Sequence, residues 1–133
     1  MRSAMTYLFV AAGGALGSTL RYWLSGLIAG AIGQSFPWGT LVINISGSIV
    51  IGAFATLTGP DGRVFIPGDW RQFFMVGVCG GYTTFSSFSL QTLTLAQEGQ
   101  GLWAAANVVL SVVFCLIGVW LGHVGAVLIN EGV

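Results

Sequence analysis

Residues 77–89 read GVCGGYTTFSSFS, and this stretch decides how the chain folds. Three glycines fall within its first five residues, and a glycine inside a helix costs about 1 kcal/mol relative to alanine. Five hydroxyl side chains follow in residues 83–89, directly after the hydroxyl of Tyr82. The combination predicts a helix that breaks within this stretch.

A break in a helix frees polar groups of the backbone. Carbonyls are left where the first half ends, and N–H groups are left where the second half begins. Inside a membrane these groups must be buried in protein or line a cavity, where carbonyls suit a cation and N–H groups or hydroxyls suit an anion. After the break, Phe85 and Phe88 share one helical face, and the positive edges of their rings can meet an anion. The alternative is a packed pair of rings beside hydroxyls that only bind neighbouring helices.

The composition is typical of a membrane protein. Of the 133 residues, 55% are hydrophobic and 6% are charged, with four arginines, no lysine and a formal net charge of zero. A soluble domain carries about a quarter charged residues, and a small one buries too little surface to hide so many apolar side chains. Disorder, nucleic-acid binding through a basic face and an ordinary soluble enzyme are therefore excluded. We expect one integral membrane domain, residues 1–133, with no nucleic-acid partner.

Four apolar windows are long enough to span a bilayer as helices, which takes roughly 20 residues. They cover residues 5–32, 38–57, 70–96 and 102–128. Turn-rich segments separate them, and a tryptophan stands at one edge of three of them, where its ring favours the headgroup region. The sequence therefore predicts an all-α membrane protein with four transmembrane helices, the third of which is broken.

The arginines indicate the orientation. With four spans, both termini and the middle loop lie on one side, and that side carries Arg2, Arg63 and Arg71. Because basic loop residues favour the cytoplasm, we expect the termini to lie there.

Several polar side chains stand at membrane depth, where each needs a partner or a water-filled path. Arg21 could extend to an interface, or it could set the potential at an anion entrance. Asn44, with Thr40 one turn earlier on the same face, could line a pore or hydrogen-bond a neighbouring helix. Asn107 and Ser111 share a face of the last window and leave the same two alternatives open.

The pattern does not favour metal binding or enzymatic catalysis. The two cysteines lie in apolar runs and are expected to be free thiols. One histidine and four scattered acids give no metal-ligand spacing, and no nucleophile stands with a base, so we expect no enzyme. Glycines four residues apart, Gly13 with Gly17 and Gly26 with Gly30, predict close packing of helix backbones.

Three segments give the chain a family resemblance. Residues 13–22, residues 39–47 (GTLVINISG) and residues 77–88 resemble the Fluc (CrcB) family of fluoride channels, and the likeness spans nearly the whole chain. The resemblance implies a fluoride-selective channel that exports fluoride from the cytoplasm by passive permeation. It also implies an antiparallel, dual-topology homodimer with two pores in the cell membrane, which is the inner membrane of a Gram-negative cell.

The resemblance also assigns roles to side chains. It implies that the fluoride path is lined by Asn44, Phe85 and Phe88. It places Thr40 and Ser111 along the same route. Ser86 and Ser87 are implied to lie in a polar track beside the two rings.

A structural sodium ion at the dimer centre is the implied cofactor. The resemblance assigns it to the backbone carbonyls of Gly80 and Thr83 from both subunits. This chain departs from the family pattern at Gln91, where a glutamate is common, and at Asn107, where some members have tyrosine.

Two other classes of membrane protein compete with the channel. A small four-helix, dual-topology multidrug exporter needs a membrane-embedded carboxylate, and no Asp or Glu lies inside any of the four windows. A non-transporting membrane scaffold would explain the packing glycines, but it would not explain the hydroxyls and rings of residues 83–88.

Overall fold

The computed structural model describes residues 2–132, and in that range the chain is helical without strands. The elements in chain order are α1 (Ala4–Ile32), α2 (Trp38–Leu57), α3 (Gly68–Gln72), a π-helical segment (Phe73–Cys79), α4 (Gly80–Tyr82), α5 (Phe85–Gln97) and α6 (Gly101–Asn130). The third span consists of a continuous helical run, residues 68–82, followed by α5. The prediction of an all-α fold with a broken third span is confirmed.

The break lies at Thr83 and Thr84, whose backbones are extended, with φ −83° and ψ 159° at the first and φ −153° and ψ 115° at the second. The break therefore lies inside the predicted stretch 77–89, after the three glycines, which remain helical. Two of the glycines lie against α1: a Cβ atom on Gly77 would lie 2.8 Å from the Cα atom of Gly13, and one on Gly81 would lie 2.8 Å from the carbonyl oxygen of Gly14. The missing side chains let α1 lie backbone to backbone against the run 68–82.

The close packing predicted from glycine spacing is present in the first half of α1. A Cβ atom on Gly17 would collide with the carbonyl oxygen of Val78 and lie 2.9 Å from the backbone nitrogen of Tyr82. Added Cβ atoms on Gly26 and Gly30 would have no atom within 4 Å. The predicted packing of this second pair is therefore absent within residues 2–132.

The second closely packed pair is α2 and α6. A Cβ atom on Gly52 of α2 would collide with the carbonyl of Val119, and one on Gly122 of α6 would collide with the carbonyl of Ile49. In contrast, α5 packs mainly on α6, touches α2 in few places and does not contact α1. The bundle therefore leaves a groove between α1 and α5.

Two helices among residues 2–132, α2 and α6, are by themselves long and apolar enough to cross a membrane. By the same criterion of helix length and hydropathy, neither the 29-residue α1 nor the divided third span qualifies as a membrane-spanning helix. The outer surface is nevertheless apolar, with Leu102 82% exposed and Leu116 64% exposed. An exposed apolar surface of this kind fits an apolar solvent such as lipid. That the chain crosses the membrane with four complete helices stays a prediction.

Two arginines bind the helix ends near the loop that follows α2. Arg71 donates from Nε to the Thr58 hydroxyl (3.1 Å), and the guanidinium of Arg63 donates to the Ile129 carbonyl at the end of α6 (2.9 Å). Cations stabilise the C-terminal ends of helices because the helix dipole is negative there. We call this side of the bundle, which also carries Arg2, the arginine end.

The packing at Gly17 predicts a large difference between two glycine substitutions on the same helix. Gly17→Val should lower the stability of the protein by roughly 1–3 kcal/mol or prevent folding, because the new side chain meets backbone that cannot give way. Gly30→Val is the matched control, since it has the same intrinsic helix penalty and open space around it. Thermal unfolding in detergent measures both variants, and equal melting temperatures would contradict the described packing.

Candidate functional site

The break in the third span is stabilised by the hydroxyls of its own threonines. Thr83 closes the first half, because its backbone N–H and its hydroxyl both donate to the carbonyl of Cys79 (3.0 and 2.9 Å). Thr84 opens the second half as the N-cap of α5, where its hydroxyl accepts from the N–H of Ser87 (3.1 Å). N-cap hydroxyls satisfy N–H groups that have no partner inside the helix.

Asn44 binds the backbone of the break from α2. Its Nδ2 group donates to the carbonyl of Thr84 (3.0 Å), and the N–H of Thr84 donates back to its Oδ1 atom (2.8 Å). The Asn44 side chain thereby satisfies both the N–H and the carbonyl of Thr84, whose backbone is extended. Backbone polar groups in an apolar environment need such partners. Of the two alternatives for Asn44, the structure shows the hydrogen bond to a neighbouring helix, and its pore role stays a prediction.

The end of the first half also packs against α2. Gly47 has no side chain at the point where a Cβ atom would collide with the methyl group of Thr83. At the residues directly before these two, the hydroxyls of Ser46 and Tyr82 share a hydrogen bond of 2.8 Å. These contacts fix the position of residues 82–84 relative to α2.

Arg21 is half-buried and hydrogen-bonded to the third span. Its Nε atom donates to the carbonyl of Gly81 (3.0 Å), close to the C-terminal end of the run 68–82. Carbonyls at such an end carry partial negative charge, so the guanidinium is stabilised where it lies. The contact accounts for a charged side chain at this depth, and a role in setting the potential of an anion entrance stays a prediction.

Phe85 and Phe88 contact each other, with ring centroids 5.3 Å apart, as their spacing predicts. Their surroundings differ, because Phe85 is 77% exposed and Phe88 is 8% exposed. Ser86 and Ser89 are exposed on the same part of α5, and Ser87 is half-buried. The start of α5 thus presents a ring and hydroxyls on the outside of the bundle.

A chain of hydrogen bonds joins α6 to α5. Ser111 donates to Oδ1 of Asn107 (3.4 Å), Asn107 donates from Nδ2 to the hydroxyl of Thr92 (2.9 Å), and Thr92 donates to the carbonyl of Phe88 (2.8 Å). Asn107 is only 2% exposed. The structure therefore shows these side chains binding helix to helix, which was one of the two alternatives. Sequence reasoning missed Thr92, although it follows Phe88 by one helical turn.

A cavity of about 640 Å³ occupies the groove between α1 and α5. Thr40, at 8% exposure, and Gln91 lie on its wall. The Oε1 atom of Gln91 is buried without a hydrogen-bond partner, a situation that costs roughly 1–3 kcal/mol unless a donor is supplied. Sequence reasoning noted Gln91 only as a departure from the family pattern.

The predicted site residues form two groups in this chain. Arg21, Asn44, Gly80 and Thr83 surround the break. The other group follows α5 and its neighbours and contains Phe85, Phe88, Ser86, Ser87, Asn107, Ser111 and, on the cavity wall, Thr40. Across residues 2–132, no cluster of three or more His, Cys, Asp or Glu side chains could bind a metal ion.

The fold and this site define a small helical membrane protein whose third span is interrupted at Thr83 and Thr84. These two residues are extended, and Asn44 hydrogen-bonds the backbone of the second. Sequence comparisons identify the family. Residues 8–123 match the family model described as "CrcB-like protein, Camphor Resistance (CrcB)". The chain belongs to this CrcB family.

Relatives match the chain over almost its whole length. The "Fluoride-specific ion channel FluC" of Paramagnetospirillum magneticum is 66% identical over 127 residues, which cover 96% of this chain and 99% of that protein. The proteins of the same name from Opitutus terrae and Methylocella silvestris are 58% and 54% identical, over 94% and 96% of this chain and 95% and 97% of their own lengths.

The contact between Asn107 and Thr92 predicts a measurable coupling. Asn107→Leu and Thr92→Val should each lower the free energy of unfolding, and the double variant should fall short of the sum of the two losses. The expected coupling is about 0.6 kcal/mol and at most about 1.7 kcal/mol, the range known for such bonds between membrane helices. Reversible unfolding in detergent measures the cycle, and strict additivity would contradict the contact.

Proposed function

We propose that this protein is a fluoride-selective ion channel, which exports fluoride from the cytoplasm by passive permeation. The observation that carries the proposal is the break at Thr83 and Thr84, where hydroxyl and amide groups cluster at membrane depth. The nearest cationic side chain among the described residues, Arg21, is bound to the carbonyl of Gly81. The names of relatives at up to 66% identity point to the same ion.

The proposed path suits a small, strongly hydrated anion. Such an ion leaves water only where donors replace its hydration shell. Hydroxyls, N–H groups and the ring edges of Phe85 and Phe88 offer partial positive charge. A full charge in the path would bind the ion too tightly for rapid passage, since conduction needs sites that also release it. Neutral donors therefore favour permeation over trapping.

A second copy of the chain completes the path in this proposal. In a lone chain the exposed hydroxyls of Ser86 and Ser89, beside the 77% exposed ring of Phe85, would lie against lipid. Polar surface at membrane depth requires protein or water against it. We propose an antiparallel, dual-topology homodimer in which the faces around Phe85 meet at the partner and two pores form.

The proposed cofactor is a structural sodium ion at the centre of this dimer. Among residues 2–132, none of the hydrogen bonds at the break ends on the carbonyl of Gly80 or Thr83. Free carbonyl oxygens at the end of a half-helix are the ligands that a hard cation prefers. These two residues therefore fit the ion, which would join the two broken spans.

The protein is proposed to cross the cell membrane four times, in the inner membrane if the cell is Gram-negative. A multidrug exporter is disfavoured because the acids among residues 2–132 lie in loops or at helix ends, with Asp61 in the loop after α2 and Glu131 directly after α6. Asp69, in the first turn of α3, accepts from the hydroxyl of Thr6 (2.6 Å), and Glu98 follows the end of α5. A scaffold without transport is disfavoured because it does not explain why the ring of Phe85 and the hydroxyls of Ser86 and Ser89 are exposed side by side.

Fluoride flux from liposomes tests the function. Phe85→Ile removes a ring edge from the path, and Asn44→Asp replaces the Nδ2 donor by an oxygen that repels both the Thr84 carbonyl and an anion. Each variant should lose fluoride flux at least about 100-fold, equivalent to about 2.7 kcal/mol. Leu102→Ile, at a similarly exposed position far from the break, is the matched control and should conduct normally.

A fluoride electrode records the efflux, and gel filtration verifies that each variant keeps the size of the native assembly. Normal fluoride flux through both variants would remove the proposed pore. Absence of flux through the unmodified protein would overturn the proposed function itself.

Removal of sodium tests the proposed cofactor separately. Sodium bound only by the folded dimer should raise the stability of the purified protein by about 2.7 kcal/mol at 100 times its dissociation constant. The melting temperature in detergent should therefore rise with sodium concentration and stay low in N-methylglucamine at equal ionic strength. Identical melting curves in the two salts would contradict a sodium site.

A further inference from the structure

The hydroxyl of Thr92 links α6 to the backbone of Phe88. Asn107 of α6 donates from Nδ2 to this hydroxyl (2.9 Å), and the hydroxyl donates to the Phe88 carbonyl (2.8 Å). Among residues 2–132, the contact between Asn107 and Thr92 is the one hydrogen bond between α5 and α6. The orientation of α5 on α6, at the level of Phe88, therefore depends on a single hydroxyl.

The hydrogen-bonding capacity of Thr92 and Asn107 is spent inside the protein. A hydroxyl carries one proton, and at Thr92 this proton is donated to the Phe88 carbonyl. Asn107 is buried, with its Nδ2 atom bound to Thr92 and its Oδ1 atom bound to Ser111. Neither side chain offers a donor to a permeating ion, so both influence permeation only through the position of Phe88.

We propose that Thr92, held in place by Asn107, is a positioning residue that keeps the ring of Phe88 at the fluoride path. The inference rests on the proposed function, in which the ring edges of Phe85 and Phe88 line that path. Every contact in this chain of hydrogen bonds lies within one protomer. The role therefore applies equally to both pores of the proposed dimer.

Phe88 has few other supports. The helix that carries it, α5, touches α2 in few places and does not contact α1. Asn44 fixes only Thr84, the residue before the first turn of α5. The neighbouring ring of Phe85 is mostly exposed and supports Phe88 little. A ring edge attracts an anion only where it points toward the ion, so rotation of α5 on α6 would turn the Phe88 edge away.

Fluoride efflux from liposomes tests this role with two substitutions at one position. Thr92→Val removes the hydroxyl but keeps the shape of the side chain. It should lower the flux roughly ten-fold, since a displacement of about 1 Å can cost a preorganised site up to about 100-fold in rate. Thr92→Ser keeps the hydroxyl and should conduct normally.

Thr19→Val is the matched control. Its hydroxyl also donates to the carbonyl one turn earlier, that of Ala15 (2.6 Å), but it lies on α1, which contacts neither α5 nor α6. The flux through this variant should equal that of the unmodified protein. A ten-fold loss here as well would overturn the positioning role, because it would show that any such hydroxyl matters.

A double variant tests whether Asn107 acts through Thr92. Asn107→Leu should lower the flux to a similar extent as Thr92→Val, and the double variant should conduct no less than either single variant. The reason is that both substitutions break the same link to Phe88. Losses that multiply in the double variant would overturn the proposal, because Asn107 would then act on the path independently of Thr92.

The ¹³C chemical shift of the Phe88 carbonyl, measured by NMR in lipid nanodiscs, reports the contact without any transport. The shift should move in Thr92→Val, where the carbonyl loses a hydrogen bond, and stay in place in Thr92→Ser. An unchanged shift in Thr92→Val would overturn the proposal.

The flux outcomes separate this inference from the proposed function. Each variant is measured below its melting temperature and at the size of the native assembly, so that lost protein is not counted as lost flux. Normal flux through Thr92→Val, or a loss that Thr92→Ser shares, overturns the positioning role alone. Absence of fluoride flux through the unmodified protein overturns the proposed function, and this inference with it.

Discussion

The pairing of Asn44 with the backbone of Thr84 is the interaction on which the rest of the structure depends. An extended dipeptide at membrane depth leaves an N–H and a carbonyl without partners, and each unsatisfied group in an apolar medium costs several kcal/mol. One amide side chain satisfies both groups of Thr84, at 3.0 and 2.8 Å. Because the break is satisfied from α2, the third span can change direction there, and α5 can present its first turn outward.

Two attachments determine where α5 lies, since it packs on α6 and hardly on the other helices. Asn44 binds the residue before its first turn, and Asn107 binds Thr92 in its middle. Phe88 lies between these points and is buried, whereas Phe85 lies beside the first and is exposed. The helix is thus fixed near the break and along α6 but open toward α1, which is where the cavity forms.

Much of this fold could be predicted from residue pattern, because apolar windows and turn residues mark helices directly. The exact position of the break within residues 77–89 could not, because only the packing of Gly77 and Gly81 against α1 shows that the glycines stay helical and that the chain breaks after them. Asn44 and Asn107 could be recognised from the sequence as polar residues that need hydrogen-bond partners, because each side-chain amide lies within an apolar window. Their partners, the Thr84 backbone and the Thr92 hydroxyl, lie 40 and 15 residues away and depend on helix packing that no local pattern encodes.

Hydrogen exchange at the Thr84 amide, followed by NMR in lipid nanodiscs, tests the central interaction most directly. The account predicts slow exchange at Thr84 in spite of its extended backbone, because its N–H donates to Asn44. It further predicts that Asn44→Leu accelerates exchange at Thr84 while the N–H of Ser87, which donates to the Thr84 hydroxyl, changes less. Fast exchange at Thr84 in the unmodified protein, or a rate that Asn44→Leu leaves unaltered, would contradict it.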